Sequence, residues 1–210
     1  MKNDDDLQLS FVYRHTSNIL QLGNDVVFLL ESGRPRSCPI IVRVMLESLF
    51  KLVAAFNNGT NAVQIIVWEL KDDSDRMRKW LDPKSWTSIA ADLSKQADHL
   101  RQEYSITENK KWKAFACAEA SELEGSYREA YFHLSSHTHA TVTGISIQET
   151  TPSTGYVLQT MLFVVLSAAL RAAHAFPTKS QQADLDECRL LGDEWMRLMD
   201  NGVFAKMDAP

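Results

Sequence analysis

The chain reads as an all-α protein, a single-domain multi-helix bundle of about seven or eight helices with its core between about residues 7 and 201. Three observations predict this. Apolar residues recur at helical spacing along almost the whole chain, no run alternates polar and apolar residues as a half-buried strand would, and the breaks at Gly33, Pro35, Gly59, Pro83 and Pro177 fall between periodic segments.

The first helix is expected from about Asp6 to Ser32, ended by Gly33 and Pro35, because glycine supplies the left-handed cap and proline cannot continue the ladder. Ser37 is the expected N-cap of the second, with Pro39 in its first turn and Asn57-Asn58-Gly59 closing it. The third starts near Asn61 and runs into KDDSDRMRK, read as an exposed, solvated end before Asp82-Pro83. Ser85 or Thr87 then caps a helix reaching about Tyr104, Thr107 caps another through Leu123, and Ser126 caps the short helix YREAYFHLSSHTHA. TVTGISIQETTPSTG, β-branched and glycine-containing, is read as a loop. Tyr156 to Phe176 is the central apolar helix, and Ser180 to Asn201 an amphipathic closing one.

Composition excludes several classes. With 22 Lys+Arg against 27 Asp+Glu the net charge is -5, so no overall basic field holds nucleic acid and no constitutive DNA binding is expected, although a local basic patch stays open. Cys38, Cys117 and Cys188 are odd in number and far apart, which argues against a disulfide framework or a thiolate zinc site. The acidic start MKNDDDLQL is unlike a secretion signal, and a cytoplasmic location is expected. The central helix has the length of a membrane span, but Gln159, Arg171 and His174 interrupt it; a buried core helix and no membrane partner are expected.

Function is sought where polar residues fall on the most apolar helices. Arg43, Glu47 and Lys51 are spaced by four and share one line. Thr160, Ser167, Arg171 and His174 fall within roughly 60° of one another, and Arg128, Tyr131, Ser135 and His139 within about 80° if their helix persists. Each stripe read alone is the solvent side of a helix; read together they face one another across a pocket, in which Arg43, Glu47, Arg171 and His174 are the candidate ligand-binding residues. His139 would exchange a proton near neutral pH, while Tyr131 and Ser135 would hydrogen-bond a substrate. His133 and His137 have zinc-ligand spacing, but no glutamate lies between them and no third ligand is placed, so neither metal nor cofactor is expected.

Two resemblances add to this. Arg128 and His133 form an Arg-x4-His spacing that resembles the motif of the HEPN family of small helical ribonucleases. The likeness implies metal-free RNA cleavage, with His133 as general acid/base, Arg128 steadying charge on phosphorus, and a homodimer pairing two motifs. Glu129 departs from that family's small polar residue or histidine. More broadly, RVMLES with YFHLSSHTH, over roughly Phe11 to Phe176, is similar to a large, mainly bacterial helical family catalogued as a domain of unknown function. Its pattern is Arg-x3-Glu followed much later by Tyr-x2-Leu-Ser-x3-His, here Arg43, Glu47, Tyr131, Leu134, Ser135 and His139, and the likeness implies that the two stripes meet.

The expected protein therefore has an Arg/Glu/Tyr/Ser/His pocket and an RNA- or nucleotide-directed role, by analogy a toxin or phage-defence component. RNA, a nucleotide and a second copy of the chain are the candidate partners. The alternative is a non-enzymatic interaction or structural module whose stripes are internal networks.

Overall fold

Gly33 shows the chain obeying its punctuation. In the computed structural model of the protein, which describes residues 4–80, 83–108, 110–136 and 154–176, helix α1 spans Asp4–Glu31. Gly33 sits at φ 68°. Its N–H bonds the Leu30 carbonyl (3.0 Å) while that of Arg34 reaches Leu29 (2.8 Å), the paired bonds of a glycine-terminated helix.

Helix α2, Cys38–Asn57, follows a 3-10 turn over Pro35–Ser37. Ser37 occupies the N-cap position without capping: its backbone is already helical and its side chain makes no cap bond, while the Cys38 N–H is bonded to the Pro35 carbonyl by the preceding turn. Of α2, Val42, Met45, Leu46, Leu49, Phe50, Leu52 and Val53 are buried, and the helix packs against α1, α3, α5 and the last described helix. At ~25 cal/mol per Å² of apolar surface, this helix is the largest contributor to the core.

Helix α3, Gly59–Trp80, begins two residues before the expected Asn61 because Asn58 Oδ1 accepts the Thr60 N–H at 3.0 Å. It pairs with α4, Pro83–Glu103. The charged run is not uniformly solvated: Ser74, in its middle, is buried and donates to the Ala90 carbonyl at 2.7 Å. Lys71 bridges to Asp98 at 3.1 Å, while Asp73, Asp75, Arg76, Arg78 and Lys79 remain exposed.

Between α4 and α5 the chain departs from the expected helix. Thr107 caps nothing; residues 106–108 and 110–113 are irregular, and α5 is the short Ala114–Ala120. Trp112 explains this, because the loop carries its ring into the core at 2% exposure, and burying an indole outweighs a few tenths of a kcal/mol per residue of helix propensity. Ser126 is likewise no cap but lies inside α6, Glu124–Ser126, which runs on through a π-helical turn, Tyr127–Tyr131, into α7, Phe132–Ser136. Helix α8, Thr154–Ala175, is antiparallel to α1, with Tyr13 against Phe176 and Gly23 beside Val165. It buries Val157, Met161, Val164 and Ala168. Its Gly155–Ala175 stretch is long and apolar enough to cross a membrane by length and composition; here one face packs on α1 and α2.

The helices are all of α or related type, with no strand among the described residues. The expected closing helix Ser180–Asn201, His137, His139 and most of the loop before α8 lie outside those residues.

Candidate functional site

The polar line of α2 meets the π turn. Arg43 and Glu47, one helical turn apart, are joined by a hydrogen bond from Arg43 Nη2 to Glu47 Oε1 at 3.0 Å. Tyr131 closes the figure: its hydroxyl donates to the same Oε1 at 2.8 Å and accepts from Arg43 Nη2 at 3.2 Å. The guanidinium also lies 5.3 Å from the Tyr131 ring centroid. Tyr131 stands 88 positions along the chain from Arg43 and 84 from Glu47.

The π turn holds the phenol there. Tyr127 and Tyr131 stack at 4.8 Å with their planes 18° apart, and Phe50 of α2 lies 6.2 Å from each ring. Phe115 of α5 meets Tyr127 edge-on at 5.2 Å. Aromatic contacts on several sides fix the Tyr131 hydroxyl before any ligand arrives. One turn further along α2, Lys51 Nζ contacts Glu69 Oε1 of α3 at 2.5 Å.

The electrostatics follow from burial and pairing. Burial opposes charge on Arg43, but the hydrogen bonds and charges of Tyr131 and Glu47 more than offset it, so its pKa lies above the ordinary value. Burial first, and donation to Glu47 second, raise the Tyr131 phenol, so at neutral pH it is a hydrogen-bond donor rather than a phenolate. The nearby Cys117 thiol is pushed up to about 12 by burial and is no thiolate nucleophile. On α1, the His15 ring lies tilted against Phe11 at 4.3 Å, and its Nδ1 is buried with no partner among the described residues. Burial, then the charge of Lys51, lowers its pKa to about 4.

Beside this cluster opens a groove of about 450 Å³, lined by Glu47, Lys51, Glu69 and Tyr131, the indoles of Trp68 and Trp112, and Asp73, Arg76, Lys113 and Ala114. Trp68, Glu69 and Trp112 were not anticipated from sequence. Trp112 had a signal, a tryptophan set among Lys110, Lys111 and Lys113, whereas Trp68 and Glu69 look like ordinary residues of an amphipathic helix.

The other anticipated residues separate. Ser135 is half-buried on α7 beside the core residue Leu134. Arg128 does not share the inward face of Tyr131; it is exposed, as is His133, which packs edge-on against Tyr156 at 5.3 Å. The π turn is the reason, since the widened spiral breaks the 100° steps on which the expected common face rested. On α8, Thr160 donates to the Tyr156 carbonyl (3.0 Å) and Arg171 to that of Ser167 (3.1 Å), while His174 is exposed. Among the described residues, these two bonds keep Thr160 and Arg171 on their own helix. Among the described residues no three His, Cys, Asp or Glu side chains gather as metal ligands, and His137 and His139 lie outside them.

The chain belongs to a family of unknown function, DUF5677, whose model matches residues 9–152. That span contains both halves of the Arg43–Glu47–Tyr131 cluster and leaves Arg171 and His174 outside it. No curated protein and no solved structure matches the chain.

Proposed function

We propose that this chain binds RNA or a nucleotide, without a metal ion, in the groove bordered by Glu47 and Tyr131. The observation that carries the reading is the groove's lining: the half-buried indole of Trp68 for a base, the acceptor Glu47 for its exocyclic amino groups, and Lys113 with the ion-paired Lys51 and Arg76 for phosphate. The fixed phenol and guanidinium pre-organise one wall. Titration calorimetry with nucleotides and short RNAs should give binding that weakens at least tenfold in Trp68→Ala and in Glu47→Gln. A panel without binding, or binding indifferent to both substitutions, rejects the reading.

RNA cleavage belongs to this proposal as a second step, at the outer face of the same segment. Arg128, in the π turn, and His133, in the first turn of α7, are both exposed. His133 would take the proton of a ribose 2′-hydroxyl as its oxygen bonds to phosphorus, then return it to the departing 5′-oxygen, leaving a cyclic phosphate, with Arg128 beside the phosphoryl oxygens. Labelled RNA in EDTA should be cut, and cutting should vanish in His133→Ala; intact RNA removes this step and leaves the binding reading standing.

One observation favours a non-enzymatic role instead: Arg43, Glu47 and Tyr131 hydrogen-bond one another, as members of a structural network do. Under that reading Glu47→Gln lowers stability and changes no ligand affinity.

A further inference from the structure

On the far side of Trp68 and Trp112 lies a second groove, of about 410 Å³, which shares those two indoles and Lys113 with the first. It gathers Lys71 from α3, Arg101 from α4, and Lys110, Lys111 and Lys113 from the loop before α5. Against these five cations stand three acids, Asp72, Asp75 and Glu108, in a chain whose net charge is -5. Asp72 is engaged by Arg76, and Lys71 by Asp98. We infer that this groove holds the sugar-phosphate backbone of single-stranded RNA whose bases extend past the tryptophans into the first groove.

The inference rests on the RNA or nucleotide reading above and sharpens it to a strand. Two donors support it besides the charge. Trp112 is 2% exposed and its Nε1–H has no acceptor among the described residues, and the buried Nε–H of Arg101 has none either. Unpaired buried donors are costly, and phosphate and ribose oxygens are acceptors in excess. Arg101 also ties the loop down, its Nη2 donating to the Glu108 carbonyl at 3.3 Å, and Lys110 Nζ sits 4.3 Å from the Trp112 ring centroid. The cations are therefore carried on an anchored loop. Cations gathered around the half-buried Trp68 indole suit a nucleic-acid strand better than an acidic peptide, which has no bases to stack.

Fluorescence anisotropy with a labelled 12-nucleotide RNA, at two salt concentrations and beside AMP titrations, tests this. Wild type should bind the strand more tightly than AMP. Lys110→Ala/Lys111→Ala, two exposed positions whose loss leaves the circular dichroism spectrum unchanged, should weaken the strand about tenfold. The same change should flatten the salt slope by roughly 0.7 per lost phosphate contact and leave AMP affinity unaltered. A strand bound no better than AMP, binding untouched by the lysine changes, or equal displacement by polyglutamate overturns the inference while the first groove keeps its nucleotide. Strand binding that falls with the lysines and ignores Glu47→Gln overturns both the first-groove reading and the passage of the bases into that groove.

Discussion

On α2 and on α8 one sequence signature, a narrow polar line on an apolar helix, comes to two different ends. Arg43, Glu47 and Lys51 reach across to the π turn and to α3 and pair with Tyr131 and Glu69. Thr160 and Arg171 bond carbonyls of their own helix, and burial alone lowers the Arg171 pKa. A stripe tells which side of a helix is polar. Whether it becomes a site depends on what other elements bring to it, and α2 meets a phenol from the π turn and a carboxylate from α3.

The contrast can be broken first at Glu47. Glu47→Ala removes the carboxylate that the half-buried Arg43 guanidinium and the Tyr131 phenol share, and urea denaturation should show a loss of about 2–3 kcal/mol; a loss below about 0.5 kcal/mol would put the α2 stripe on the same footing as that of α8.

The next effect is pH-dependent. Folding holds His15, on α1 and within the field of Lys51, at a pKa of about 4, below its unfolded value. Its contribution to stability is therefore complete above about pH 6.5 and is lost as pH falls from there toward 4, on the order of 1–3 kcal/mol after solvent screening. His15→Phe should flatten that limb of the stability profile, and an unchanged limb would show that the imidazole titrates freely.

A double-mutant cycle of Tyr131→Phe with Glu47→Gln should return a coupling of about 1.5 kcal/mol, the low end for one hydrogen bond to a charged acceptor. Zero coupling would mean that the two residues are merely neighbours. The smallest effect is expected on α8: Arg171→Met exchanges a guanidinium bonded to its own helix for an apolar chain of similar length and should change stability by less than about 1 kcal/mol.

Much of this was legible in residue order. The all-α class, the break at Gly33 and the apolar helix before Pro177 follow from periodicity and from the backbone limits of glycine and proline, which act within a few residues. The two-segment pattern of Arg43, Glu47 and Tyr131 pointed to a meeting that the coordinates show. What failed did so where a distant contact overrode a local rule: Trp112 buried itself and dissolved the helix expected from Thr107, Ser74 turned a charged run inward, and the π turn at Tyr127–Tyr131 sent Arg128 outward. Trp68 and Glu69 carry no local mark of a groove.

Sequence by itself therefore determined the helical class, most helix ends and the polar line on α2, because hydrophobic period and backbone sterics are short-range. Only the tertiary structure decided which lines face one another, that Tyr131 and Arg128 part company, and that two grooves share the Trp68–Trp112 wall. Those outcomes depend on side chains tens of residues apart competing for the same buried space and the same hydrogen-bond partners, a competition settled once the helices have packed.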